Sequence, residues 1–151
     1  MRAVQLQRPG RDGFALVTSL LVILLLSLIA VAAVILSSTE KRTTFAESVH
    51  STAVFSADSG GEAGIHFIRM SDAPPRIVDF ANRMVHNEID EPIQGGQEYD
   101  YGCYYIRKRP KPGWGVNFLD YDYRVESTGR ATAQGRSDVD LVASRLFREG
   151  Y

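Results

Sequence analysis

Hydrophobic positions are distributed unevenly along this chain. From Phe14 to Leu36 run 23 residues, FALVTSLLVILLLSLIAVAAVIL, broken only by Thr18, Ser19 and Ser27 and free of Gly, Pro and charge. At 1.5 Å per residue a helix of that length reaches roughly 35 Å, enough to cross a hydrocarbon core of ~30 Å. The pattern predicts a membrane-spanning helix. Beyond Leu36 the chain turns polar without turning into a loop. No proline occurs between Ser37 and Met70, and Phe45, Val49, Ala53, Ala57, Gly64 and Ile68 recur along a slowly drifting helical stripe. The helix is therefore expected to continue to about Met70, on the order of 85 Å in all. Its second half would be amphipathic and would pack on a small domain.

The segment Ser71-Asp72-Ala73-Pro74-Pro75 stops that helix, because a proline disfavours helical geometry in the residue before it. From Arg76 to Glu88 the positions of Ile77, Phe80, Ala81, Met84 and Val85 predict a second, short amphipathic helix, and Gly95-Gly96 predicts a turn. Three strand-like runs follow. Tyr99 to Lys108 is rich in aromatics. Tyr121 to Thr128 alternates, with Tyr121, Tyr123 and Val125 on one face against Asp122, Arg124 and Glu126. Ser137 to Phe147 sets Val139, Leu141 and Ala143 against Asp138 and Asp140, after a connecting turn at Ala133 to Arg136. A helix and a meandering sheet bury each other's apolar faces, so the fold class is α+β, a long N-terminal helix packed on a small antiparallel sheet.

Composition changes this picture little. A length of 151 residues fits one domain, and the 44% hydrophobic and 23% charged totals average over two unlike halves. Net charge is −1, which disfavours a nucleic-acid-coating protein. The lone cysteine, Cys103, excludes an internal disulfide and a cysteine-cluster zinc site. It reads as a small buried hydrophobe in an aromatic strand.

Ahead of the apolar block, Arg2, Arg8 and Arg11 stand against Asp12, and Glu40, Lys41 and Arg42 follow it. The short basic leader favours a cytoplasmic amino terminus. Ala30-Val31-Ala32 has the small-x-small form of a secretory cleavage site, but the apolar run exceeds the usual core of roughly 7 to 15 residues. An uncut signal-anchor suits the hydropathy better. Neither reading explains why the apolar block begins abruptly at a glycine.

The stretch GFALVTSLLVILLLSLIA, directly after a short basic leader, resembles the class III signal of type IV pilins and pseudopilins. The resemblance implies cleavage by a prepilin peptidase between Gly13 and Phe14, with N-methylation of Phe14. It divides the chain into a leader (1–13), a transmembrane helix (14–36), its extramembrane continuation (37–70) and a globular α+β region (71–151) outside the cytoplasm. Most major pilins have Glu at the fifth mature position, where this sequence has Thr18. In the family that carboxylate neutralises the amino terminus of the subunit ahead, a pairing that matters because a buried unpartnered ammonium is costly. A subunit at the tip has nothing ahead of it. ALVTSLL is similar to PilX-type minor pilins and to K-type minor pseudopilins of type II secretion, and the short chain fits the PilX type better. The Ala-acid-Ser-Gly-x-Glu stretch from Ala57, and Tyr123 to Ala131 before a last strand, resemble the same type. The implied role is a minor pilin-like subunit of pilus assembly, priming the filament or sitting at its tip. Its implied partners are other minor pilins, the major pilin, the inner-membrane assembly platform and the prepilin peptidase. The implied location is the bacterial inner membrane, then the pilus or cell surface.

Other chemistry is sparse. Asp58-Ser59-Gly60-Gly61 has the form of a serine-protease nucleophile motif, but the required His and Asp partners and double barrel have no counterpart here. Ala57, Gly60 and Gly64 read instead as small residues that let the helix approach a neighbour closely, with a helix break at Gly60-Gly61 as the alternative. Arg107, Lys108, Arg109 and Lys111 crowd a Pro/Gly loop around Trp114, a candidate ligand loop for a phosphate backbone or glycan. Removing the leader's three arginines and one aspartate from 17 basic and 18 acidic residues leaves 14 against 17, which favours a solvated hairpin with Trp114 tucked into the core. His50 and His66 fall on different helix faces, and Glu88, Asp90 and Glu91 lack calcium-loop spacing. With no phosphate loop or nucleophile constellation, the sequence predicts a non-enzyme without cofactor. The rival function is a membrane-anchored periplasmic binding module that keeps residues 1–13 and reads its ligand with the Trp114 loop.

Overall fold

The computed structural model describes residues 11–149; Arg2 and Arg8 of the expected leader lie outside the described residues. One helix, α1 (Arg11–Met70), is followed by four strands, β1 (Met84–Ile93), β2 (Gln97–Pro110), β3 (Phe118–Ala131) and β4 (Gly135–Arg148). The chain divides into two compact units, one ending at Phe45 and the other beginning at Ala46.

In the first unit every side chain from Gly13 to Phe45 is exposed, including the whole apolar block. A helix apolar all round has no polar face to give to water, which marks it for lipid or for a sheath of other helices. Phe45, which the sequence places at the head of the amphipathic stripe, is exposed as well.

In the second unit the strands form an antiparallel meander in the order β1-β2-β3-β4. α1 lies along one face of this sheet through a seam of Ala53, Ser56, Ala57, Gly60, Gly61, Gly64 and Ile68, all buried. These recur at three- and four-residue intervals, the spacing of one helix face. No break occurs at Gly60-Gly61. Facing the seam are Tyr101 and Cys103 of β2, Tyr121, Tyr123 and Val125 of β3, and Phe147 of β4, which with Ile68 and Val85 make the core. Complete burial of a ring such as Tyr123 stabilises by about 2 kcal/mol.

The closest approach of helix to sheet is at Gly129. A Cβ there would collide with backbone atoms of Ala53 and Ala57 and come within 2.7 Å of the Ser56 carbonyl carbon. Only glycine lets the helix backbone rest on β3 at this point. Ser56 Oγ is held in the same seam, 3.0 Å from the Thr52 carbonyl oxygen and 3.2 Å from Gln97 Oε1.

The expected helix over Arg76–Glu88 does not form. Residues 71–83 run as bends and a turn, and Met84 onward is strand. Asp79 accounts for much of the difference. Its carboxylate accepts the Ala81 backbone N–H at 2.9 Å and an Asn82 side-chain N–H at 2.9 Å, a local closure that competes with helical bonding. Met84 then pairs back with Asp79, and Tyr105 N–H donates to the Arg83 carbonyl at 2.9 Å, so the segment feeds β1 onto the edge of β2. Of the residues that suggested an amphipathic helix, Val85 reaches the core while Phe80 is 82% exposed. The expected turns are present, with Gly95 and Gly96 at positive φ between β1 and β2, and a single 3-10 turn at Thr132–Gln134 between β3 and β4.

Candidate functional site

The apolar part of α1 is the first candidate site, because whatever this chain anchors to must accept it. Its few polar side chains are satisfied within the helix. Ser19 Oγ donates to the Leu16 carbonyl at 2.9 Å and Ser27 Oγ to the Ile23 carbonyl at 2.8 Å. Thr18 Oγ1 lies 3.0 Å from the Phe14 carbonyl oxygen and 2.9 Å from that of Ala15. Hydroxyls tied to the preceding turn present little polarity to hydrocarbon, so the segment meets the requirement that polar groups in a membrane be paired internally. The helix runs without interruption through Gly13 and Phe14, both exposed, and a Cβ on Gly13 would meet nothing within 4 Å. Thr18 sits one turn beyond Phe14 with its hydroxyl turned back onto that residue's carbonyl and no charge to offer.

The second candidate is the small-residue seam. A Cβ on Gly64 would come within 2.5 Å of Val125 Cγ1 and 3.3 Å of Cys103 Sγ, and one on Gly60 within 2.9 Å of the Tyr99 ring. Ala57 is wholly buried in the same seam. The neighbour that these residues approach is the chain's own sheet. Cys103 is fully buried there, and burial first, with Glu88 adding, pushes its thiol up to about 12.

The third candidate is the basic loop. Arg107 Nε donates to Asp122 Oδ2 at 2.9 Å and Arg109 Nη2 to Asp122 Oδ1 at 3.3 Å, while Lys108 Nζ reaches Glu149 at 3.0 Å and Lys111 Nζ reaches Asp120 at 3.1 Å. Each cation of the cluster thus has a carboxylate beside it, from β3 or from just beyond β4. Asp122 is nearly buried and also accepts Ser144 Oγ–H at 2.6 Å. That bond first, and then the two guanidiniums, hold its carboxyl below the usual range against the opposing effect of burial. Hydrogen bonds from Lys108 and Tyr121 likewise lower Glu149. Trp114 does not enter the core as the sequence suggests. It is 56% exposed and meets Phe118 edge-on, ring centroids 5.3 Å apart. The alternation in β3 hints at Asp122 only as an outward-facing residue; Asp120 and Glu149 give no signal in the sequence.

The remaining histidines do not converge on a metal. His50 and His66 are exposed, and the imidazole of His86 stacks on Phe67 at 4.0 Å with Nε2 3.4 Å from Glu88. Among the described residues no group of three or more His, Cys, Asp or Glu is arranged to hold an ion.

Comparison with known families bears on the first two sites. Residues 12–62 match the PilX N-terminal family model, a span that begins one residue before Gly13 and ends inside the small-residue seam. Over that span the chain is PilX-type and type IV pilin-like. The PilX-type segment covers about a third of the chain, and it sits on the fold expected of a pilin, one long apolar helix followed by an antiparallel sheet. The family that this model describes is structural rather than catalytic and works in pilus assembly, and the single long apolar helix fits membrane anchoring. No curated protein and no solved structure matches the chain.

Proposed function

We propose that this chain is a minor pilin subunit that is cut after Gly13, methylated on Phe14 and drawn from the inner membrane into a pilus, where it primes the filament or occupies its tip. The observation that carries the reading is the apolar block that starts abruptly at Gly13-Phe14 inside a segment matching the PilX N-terminal model. The mechanism is exchange of surroundings. Before assembly Phe14–Leu36 is solvated by lipid; in the filament the same face packs against equivalent helices of other pilins, trading lipid contacts for protein contacts. The amino terminus starts in the cytoplasm, where the leader is removed by prepilin peptidase, and the assembly platform passes the subunit to its partners among the minor and major pilins.

Thr18 supports the tip or priming position. A mid-filament subunit needs a carboxylate near the amino terminus of the one ahead, and Thr18 supplies only a hydroxyl already committed to its own backbone. The substitution Thr18→Glu tests this. Labelled wild-type protein is expected at filament ends and the variant along the shaft as well, read by electron microscopy of sheared pili. Equal distributions of the two along the shaft would remove the argument for a tip. Secretion pseudopili share the leader chemistry, so the same labelling in cells carrying only a type II secretion system checks the alternative machine.

A further inference from the structure

The β2–β3 loop presents an apolar crest that neither the helix nor the core uses. Val116 is 91% exposed and Trp114 56%. The crest is preorganised: Lys111 N–H donates to the Phe118 carbonyl at 3.1 Å, Phe118 N–H to Gly115 at 3.0 Å and Trp114 N–H to Lys111 at 3.2 Å. Gly113, at φ 79°, supplies the backbone reversal inside this closure. Behind the crest Phe118 braces Trp114 from one side and lies under the Arg148 guanidinium, 5.8 Å away. A loop whose closed form already exists loses little conformational freedom when something covers it.

Charge narrows what that something is. The end of the sheet that carries the loop holds Arg107, Lys108, Arg109, Lys111, Arg145 and Arg148 against Asp120, Asp122 and Glu149, although the chain as a whole is net negative. The surplus is positive after every internal pair is counted. We infer that the Trp114–Val116 crest docks on an anionic lipid surface, with the indole and the valine entering the interfacial layer and the surrounding lysines and arginines facing the headgroups. Tryptophan favours that layer because its ring is apolar at one end and polar at the other. Nucleic acid is the less fitting occupant. A phosphate backbone offers the exposed Val116 and the half-exposed Trp114 ring no apolar layer to enter, whereas a lipid surface does, and this pair gains most by leaving water.

Trp114 is the chain's single tryptophan, so its emission reports on this loop alone. The experiment holds the full chain by its own helix in nanodiscs of phosphatidylcholine and adds separate vesicles of phosphatidylcholine and phosphatidylglycerol with brominated acyl chains. Quenching of Trp114 is expected with the anionic vesicles, weakening as salt rises. The Val116→Asp variant, which keeps the fluorophore and alters an almost fully exposed side chain, is expected to bind about tenfold more weakly or worse because a carboxylate resists the interfacial layer. No quenching, equal quenching by pure phosphatidylcholine vesicles, or an undiminished effect in Val116→Asp overturns the inference. A response to a single-stranded oligonucleotide without a response to vesicles overturns it in favour of nucleic acid. The inference rests on the loop and stands apart from the pilin reading.

Discussion

Asp122 concentrates more of the sheet's polar chemistry than any neighbouring side chain. It sits almost out of solvent between Ser144 and two arginines, and those bonds keep its carboxyl ionised below the ordinary carboxylate range. A carboxylate whose pKa is lower folded than unfolded contributes stability above its unfolded value of about 3.9, and that contribution is lost as pH falls through the folded value. Asp122→Asn is therefore expected to cost about 1–3 kcal/mol near neutrality and nothing extra in acid, since charge-assisted bonds of this kind are worth that much. Thermal melts of both proteins between neutral and acidic pH check it: the two curves converge as pH falls, and parallel curves would mean that the charge contributes nothing. Tyr123 is a different case. Its hydroxyl is buried without a hydrogen-bond partner among the described residues, so its ring stabilises the core while its oxygen does not.

At the scale of elements, the seat of α1 on β3 depends on two glycines that differ in kind. A methyl on Gly64 meets the side chains of Val125 and Cys103, which can shift; a methyl on Gly129 meets the helix backbone, which cannot. Gly64→Ala gains up to about 1 kcal/mol of helix propensity and loses roughly 1–3 kcal/mol to overpacking. Gly129→Ala has no such compensation and is expected to be the more destabilising of the two, seen as the larger drop in denaturation midpoint. The reverse order would show that the helix does not rest on β3 at that residue.

The helix side of this seat was legible in the sequence, because small and apolar residues recur with a helix's period from Val49 to Ile68. The strand side was legible in β3, where Tyr121, Tyr123 and Val125 alternate inward. Gly129 was not, since nothing in a strand pattern says that a helix backbone will touch it. The edge strand β1 was hidden by its register shifts between Met84 and His86 and between Glu88 and Glu91, which disrupt the two-residue period that identifies a strand. The spacing of Ile77, Phe80, Met84 and Val85 then imitated a helix. The basic loop showed its cations in the sequence but not their carboxylates. Asp120 and Asp122 come from the neighbouring strand and Glu149 from beyond β4, and only the antiparallel register brings them opposite.

At the scale of the whole molecule, the chain combines a segment apolar on every side with a small body whose own core is complete. A segment of that kind is stable only in lipid or among helices like itself, which is the condition that a pilin meets in turn before and after assembly. The proposed function requires that residues 1–13 be removed while the apolar helix stays on the mature protein. The rival binding module keeps both, and a secretory signal loses both. Intact mass and amino-terminal sequencing of the protein extracted from its native membrane separate these directly. A chain that begins at methylated Phe14 is the predicted result; one that begins at Met1 or at Ala33 would contradict it.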